Sequence, residues 1–206
     1  ILGQLISVGA IALIIVFQPE LRRFLQVIGM RQKHFNFITR IFSTGDDTVQ
    51  TNVVPIVTAC REMSETKTGA LIVIGQQSDL RLIAEGGIAL DAKVSTSLLK
   101  NIFFKNAPLH DGAVLIEGDR IVAAKCILPV TQSDVPKSYG TRHRAAIGMS
   151  EISDAIIIVV SEETGGISIA QGGELRRNID PVRLQQTLQR YLTINTRKRS
   201  KKEVAE

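Results

Sequence analysis

Leu109-His110-Asp111-Gly112-Ala113-Val114-Leu115-Ile116-Glu117, then Gly118-Asp119-Arg120, then Ile121-Val122-Ala123-Ala124-Lys125-Cys126-Ile127-Leu128, is a pair of apolar runs joined by a short polar turn. Runs of this length on either side of a Gly-Asp dipeptide predict a β-hairpin, with strands over residues 113 to 117 and 121 to 128. An imidazole, a carboxylate and a glycine stand immediately before the first strand. They put an acid and a possible metal ligand inside an otherwise apolar stretch. Asp-Gly alone is also an ordinary turn dipeptide, so the acid needs company before it carries a function.

Outward from the hairpin, strand and helix signals alternate. Upstream, Val53, Ile56, Val57, Cys60 and Met63 form an apolar stripe that predicts a helix over residues 49 to 65, with Pro55 near its first turn or making a kink. Residues 70 to 74 predict a buried strand, residues 80 to 84 and 87 to 90 short strands, and residues 95 to 104 a helix. Downstream, a helix is expected over residues 141 to 149 and strands over 155 to 160 and 167 to 170. Asp180 caps a last helix begun by Pro181, with Val182, Leu184, Leu188, Tyr191 and Leu192 on its apolar side. There is no internal repeat. The order predicts an α/β fold with a mixed central β-sheet flanked by helices.

The chain has 206 residues, 44% of them hydrophobic, with 4% aromatics and no Trp, which suits one aliphatic domain plus appendages. The net charge of +5 could suit a polyanion. However, Arg197, Lys198, Arg199, Lys201 and Lys202 against Glu203 and Glu206 leave only +2 on the remainder. A nucleic-acid binder would carry basic charge across its body and exposed aromatics for stacking, so no nucleic-acid partner is expected. Cys60 and Cys126 have neither metal-type nor redox-pair spacing and predict reduced core thiols.

Residues 1 to 17 carry no charge and span roughly 25 Å as a helix, close to the ~30 Å of a hydrocarbon core. With no initiator Met, they predict a membrane helix cut by the start of the sequence; a buried soluble helix is the alternative. Arg22, Arg23, Arg31, Lys33 and Arg40 follow, with no acid between Glu20 and Asp46. Positive charge on that side predicts a cell-membrane protein whose C-terminal domain is cytoplasmic. Residues 18 to 48 predict an amphipathic juxtamembrane helix, with Leu21, Phe24, Leu25 and Ile28 at helical spacing, and a turn-rich linker. The globular domain is expected over residues 49 to 194 and a flexible basic tail over 195 to 206, with contact to anionic lipid as the alternative for the tail.

Beyond the hairpin comes Gly140-Thr141-Arg142-His143-Arg144-Ala145-Ala146, two guanidinium groups and an imidazole beside small residues. Arginine offers planar bidentate donors to phosphate oxygens. The predicted helix start adds backbone N–H groups and the Thr141 hydroxyl. A basic tripeptide alone is equally a solvated helix face. Together with His110-Asp111-Gly112 it points to nucleotide chemistry, since a carboxylate near bound nucleotide can hold a divalent cation or orient a hydroxyl nucleophile.

With Asp111-Gly112-Ala113 followed by Arg142-His143-Arg144, the chain resembles the bacterial diadenylate cyclases, and its apolar N-terminus resembles their membrane-anchored branch. The resemblance runs from about Thr51 to about Leu192 and includes residues 68 to 75 and Ser161-Glu162-Glu163-Thr164-Gly165-Gly166. It implies an enzyme that condenses two ATP into cyclic di-AMP with release of two pyrophosphates, using Mg²⁺ or Mn²⁺. A membrane-tethered nucleotide sensor without catalysis is the alternative. Two ATP sites facing each other in a homodimer are the simplest arrangement for joining two nucleotides.

On this reading Arg142, Arg144 and Thr141 bind phosphate, and the resemblance implies that Asp111 assists the attacking 3′-hydroxyl. Gly112 and Ala113 are expected to leave room for ribose. His110 is a candidate metal contact beside Asp111, or a residue that supports one. His143 has either a direct role or a buried one positioning its neighbours. The resemblance further makes Ser161 and Glu163 phosphate and metal-site residues, and Leu128, with Ile127 beside it, an adenine contact through the backbone. Gly69 is expected to permit close packing near the base.

Overall fold

The computed structural model describes residues 51 to 136 and 138 to 203, with side chains through Leu192. The predicted membrane and juxtamembrane helices lie outside the described residues. The first described helix, α1 (Val53–Glu65), starts where the Asn52 side chain accepts a hydrogen bond from the Val54 N–H at 3.1 Å. Pro55 falls in its first turn, where a missing N–H breaks no intrahelical bond. The five predicted stripe residues, Val53, Ile56, Val57, Cys60 and Met63, are all buried.

The strand β1 (Ala70–Ile74) is buried at every position. After it the sequence expectation of a strand at residues 80 to 84 fails: the chain forms a short helix, α2 (Arg81–Glu85). The Asp79 carboxylate accepts from the Arg81 N–H and pairs with the Arg81 guanidinium, fixing a turn. Leu80 and Ala84 are buried four residues apart, while Leu82 is 74% exposed. A helical contact thus wins over an apparent run of apolar letters. β2 (Ile88–Lys93), α3 (Thr96–Ile102), β3 (Ala113–Glu117) and β4 (Arg120–Cys126) follow, with Ser95 capping α3 through the Leu98 N–H. Gly118 takes a φ of +55° at the first position of the two-residue turn between β3 and β4, where the primed hairpin turns want glycine. The rest is α4 (Thr141–Ile152), β5 (Ile156–Val160), β6 (Ile167–Gln171), β7 (Glu174–Arg176) and α5 (Pro181–Glu203).

The seven strands form one sheet in the order β2-β4-β3-β1-β5-β6-β7. β1 and β3 are parallel and every other neighbouring pair is antiparallel, giving the expected mixed sheet. Alternation along the strands sorts the core into two layers. Ile72, Ile74, Val114, Ile116, Ile158 and Val160 face a layer shared with α1, α3 and α5. Leu71, Val73, Leu115, Ile157 and Val159 face the other, shared with Leu80 before α2, Ala84 within it, and Ala146 and Met149 of α4. Truncating one of these fully buried isoleucines to Ala would cost about 2–5 kcal/mol.

Asp180 caps α5 as expected, its Oδ1 accepting from the Arg183 N–H at 2.9 Å. Leu184 and Leu188 are buried, but Val182, placed on the apolar side from sequence, is 66% exposed. Two positions before Leu184, it stands on the opposite side of the helix from the stripe that Leu184 and Leu188 define. The helix runs on to Glu203 through most of the stretch expected as a flexible tail. Residues 182 to 203 contain no Gly or Pro and are rich in Leu, Gln, Arg and Lys, which favour helix.

Candidate active site

The sheet brings the candidate residues to one edge. β1 and β3 begin there and β4 and β5 end there, because Ala113 pairs with Cys126, Ile72 with Val114 and Ala70 with Val160. Gly69 therefore precedes β1, His110 to Gly112 precede β3, Ile127 and Leu128 follow β4, and Ser161 to Glu163 follow β5, all along the same rim. At about 4.8 Å per strand the rim from β4 to β5 is roughly 14 Å long.

The N-terminus of α4 meets this rim through Arg142. Its Nη1 donates to Glu162 Oε2 at 2.7 Å, and the guanidinium is the less exposed partner. Gly69 lies directly beneath: a Cβ there would be 2.7 Å from Arg142 Nη1 and 3.0 Å from Glu162 Oε2. The glycine thus makes room for the ion pair. Glu162 is a candidate that sequence reasoning passed over, having singled out Ser161 and Glu163 on either side of it. Thr141 and Arg144 are exposed, and among the described residues Arg144 forms no ion pair. Gly140, the N-cap, gives α4 no side-chain cap, and a Cβ there would meet nothing within 4 Å. The first N–H groups of α4 therefore have no side-chain cap, and Gly140 adds no bulk in front of them.

His143 points the other way. It is 7% exposed, and its ring centroid lies 5.8 Å from that of Tyr139. Burial first, then the charge of Arg177, push its pKa below the ordinary 6.5, while Glu163 pulls upward. The imidazole is held neutral in the wall of the site, the inward orientation that the sequence left open.

At the start of β3, Asp111 is exposed at the rim. His110 Nδ1 lies 2.6 Å from the Ala107 carbonyl oxygen; a carbonyl only accepts, so Nδ1–H donates and Nε2 is the ring nitrogen left to bind a ligand. Fixing one ring nitrogen in this way is how metal-ligating histidines are oriented. Among the described residues no group of three or more His, Cys, Asp or Glu could enclose a metal ion. His110 Nε2 and the Asp111 carboxylate are the protein groups at this end of the rim that could ligate a divalent cation, whose other ligands would come from outside the chain.

Gly112 has a backbone reason to be glycine. Its φ is +140°, and a Cβ there would lie 2.7 Å from the Lys125 carbonyl carbon and 2.8 Å from Lys125 Cα. The space it leaves is filled by the neighbouring strand. Lys125 itself has a φ of +56°, and the β3–β4 register shifts between Ala113 and Leu115, so a bulge of the kind found beside active sites shapes this end of the hairpin. Ala113 is fully buried in the core. Leu128 is buried against the α4 layer, whereas Ile127 is 81% exposed.

Ser161 closes the rim. Its Oγ accepts from the Thr164 N–H at 3.3 Å, and its backbone exchanges hydrogen bonds with Gly165 and Gly166. Gly165, at φ +77°, sits where a Cβ would be 2.5 Å from the Ser64 carbonyl oxygen, docking the loop on the end of α1. Cys60 and Cys126 are buried free thiols pushed up to about 12 by burial, which makes them inert core residues as expected.

A family model described as DisA bacterial checkpoint controller nucleotide-binding (DAC) matches residues 57–175. The chain is 42% identical over 198 residues to the cyclic di-AMP synthase CdaA of Bacillus subtilis (strain 168), covering 96% of this chain and 71% of that protein. It is 43% identical over 200 residues to a diadenylate cyclase of Listeria monocytogenes serotype 1/2a (strain 10403S), covering 97% and 72%. The crystal structure of a double mutant of DacA from Staphylococcus aureus superposes with a TM-score of 0.67 at 43% identity, over 68% of this chain and 94% of that one. A hypothetical membrane spanning protein from Bacillus cereus superposes with a TM-score of 0.61 at 34% identity, over 80% and 96%.

Proposed function

The chain belongs to the diadenylate cyclase (DAC) family, and on that premise we propose how the rim of its sheet carries the reaction. It is a nucleotidyltransferase that joins two ATP molecules into cyclic di-AMP with release of two pyrophosphates. Each 3′-oxygen attacks the other nucleotide's α-phosphorus, and the bond from that phosphorus to the pyrophosphate oxygen breaks. The protein must neutralise the polyphosphate and hold the hydroxyl in line.

The observation that carries the assignment is the meeting of Arg142, Glu162 and Gly69 at the strand ends that also hold Asp111. In our reading Arg142, Arg144, Thr141 and the free N–H groups of α4 bind the phosphates, with Ser161 and Glu163 completing that side. Glu162 holds Arg142 in place before substrate arrives, a preorganisation that reduces the ordering cost of binding. Asp111 accepts or orients the 3′-hydroxyl proton. Adenine lies toward the end of β4, against the Leu128 backbone and beside exposed Ile127. His110, through Nε2, and Asp111 would hold Mg²⁺ or Mn²⁺, which neutralises phosphate charge when bound.

A homodimer that brings two such rims face to face is part of the proposal. It is supported by the exposure of Asp111 and Arg144 on the rim, where a second bound nucleotide can reach them. Attachment to a membrane through residues 1 to 17, with the cyclase domain cytoplasmic, rests on the charge pattern of the sequence. Among the described residues no helix is long and apolar enough to cross a membrane.

The test is incubation of the purified chain with ATP and Mg²⁺ or Mn²⁺, followed by mass analysis of the nucleotides. Cyclic di-AMP and pyrophosphate are expected. ATP binding without any cyclised product would instead support the non-catalytic sensor.

A further inference from the structure

The first turn of α4 bears the phosphate-binding arginines, yet its N-cap Gly140 supplies no side-chain hydrogen bond and touches nothing with its missing side chain. Residues 138 to 140, just before it, belong to no helix or strand. The Thr131 N–H donates to the Arg144 carbonyl at 3.2 Å and ties the end of that turn, which leaves its start to be aimed by side chains. Immediately before Gly140, Tyr139 presents its ring to His143 at 5.8 Å, with the planes tilted by 37°. Over the same Tyr139 ring, 5.1 Å from its centroid, lies the guanidinium carbon of Arg177.

Arg177 is well anchored for this purpose. Arg176 before it pairs with Ile169 in the sheet, and the Ile179 N–H after it donates to the Ile167 carbonyl at 2.9 Å. The backbone on both sides of Arg177 is therefore tied to β6. A cation set over an aromatic face is attracted by the negative potential of the ring, so Tyr139 is in contact with both the sheet-anchored Arg177 and buried His143. On the other flank of the same turn, Arg142 is held by Glu162.

We propose that Arg177 and Tyr139 form a cation-on-ring clamp that positions the first turn of α4 for phosphate binding. Both are positioning residues, acting through Arg142 and Arg144 and not by touching substrate. The inference rests on the reading of this rim as the ATP site.

The clamp needs the ring face and the positive charge, and not the phenol hydroxyl. In the full chain, Tyr139→Phe and Arg177→Lys should stay near wild type. Tyr139→Leu and Arg177→Gln should each raise KM for ATP, and the dissociation constant measured by calorimetry, by about two- to fivefold. The value of kcat at saturating ATP and the melting temperature should hold nearly constant. Because both residues serve one contact, the Tyr139→Leu/Arg177→Gln double variant should be no worse than the poorer single variant. Multiplicative single effects, an unchanged KM, or a Tyr139→Phe variant as impaired as Tyr139→Leu would each overturn the clamp. Wild-type chain that binds no ATP would instead sink the nucleotide reading and the clamp with it. A wild-type chain that binds ATP, beside variants that depart from the pattern expected of them, sinks the clamp alone.

Discussion

Arg142 and Glu162 meet over Gly69, with 2.7 Å between Nη1 and Oε2 and no room for a Cβ beneath them. The obstruction is the far end of a flexible side chain. Gly69→Ala should therefore cost under about 1 kcal/mol of stability while displacing the guanidinium and weakening ATP binding. Gly112→Ala should behave in the opposite way. There the obstruction is the Lys125 backbone and φ is +140°, so the strained backbone alone costs about 1–3 kcal/mol. Thermal melts beside ATP titrations separate the two, and a Gly69→Ala chain with wild-type affinity would detach the ion pair from the phosphate site.

Arg142→Ala and Arg144→Ala should each weaken ATP binding, and the double variant more than either alone. Charge-assisted hydrogen bonds contribute about 1.5–3 kcal/mol each, or roughly tenfold to a hundredfold in affinity. Arg142→Ala also leaves Glu162 as an uncompensated negative charge beside the phosphates, so it should be the more damaging single change. Titration of ATP into folded variants checks the ranking; unchanged affinity in the double variant would remove both arginines from the site.

The sheet was legible in sequence because β1, β3 and β5 are buried on both faces and so read as unbroken apolar runs. β7 was not, since Glu-Leu-Arg has no strand pattern. It exists because Gly172 and Gly173, both at positive φ, fold the chain back onto β6. The motif residues that gather at the rim stood out in the sequence by residue type. The Arg142–Glu162 pair was not, because two adjacent acids, Glu162 and Glu163, offer the same charge to a distant arginine. Only the convergence of the end of β5 with the start of α4 selects between them. In the same way, the glycine at 112 was visible but its reason, the crossing of Lys125, depends on strand register.

Stability should fall as pH drops through 6.5, in part through His143. Burial and Arg177 hold its native pKa below the ordinary 6.5. Between that lowered value and 6.5 the unfolded chain binds the extra proton, so stability rises with pH across this window and is flat in this group above it. The carboxylates of Glu62 and Asp79, whose pKa values are lowered chiefly by hydrogen bonds from Lys100 and Arg81, act at lower pH, below 4.5 and 3.8 respectively. Urea unfolding at pH 7.5 and about 5.5 should show a smaller loss for His143→Gln than for wild type. Equal losses would mean that His143 takes up its proton as readily folded as unfolded.

Attachment through residues 1 to 17 is expected to be hydrophobic insertion, since that stretch holds no charge. Membranes washed in 1 M salt, where the Debye length is about 3 Å, should retain the chain, and detergent should release it. Release by salt alone would point to peripheral binding through the basic residues.

Asp111→Asn should separate binding from turnover. The amide has nearly the shape of the carboxylate and Asp111 is exposed at the rim, so fold and most ATP affinity should survive. Cyclisation should be lost, because the amide cannot accept the 3′-hydroxyl proton and is a poor ligand for a hard divalent cation. If two rims must face each other, wild-type specific activity at saturating ATP should rise with protein concentration and level off once pairing is complete. The two tests combine: an equal mixture of wild-type and Asp111→Asn chains forms mixed pairs in which one of the two bonds lacks its acid. Cyclic product should then fall below the sum of the separate activities, while the linear half-reaction product accumulates. Specific activity that stays flat while sedimentation reports a monomer would overturn the face-to-face arrangement, and full activity in the Asn variant would remove Asp111 from its role.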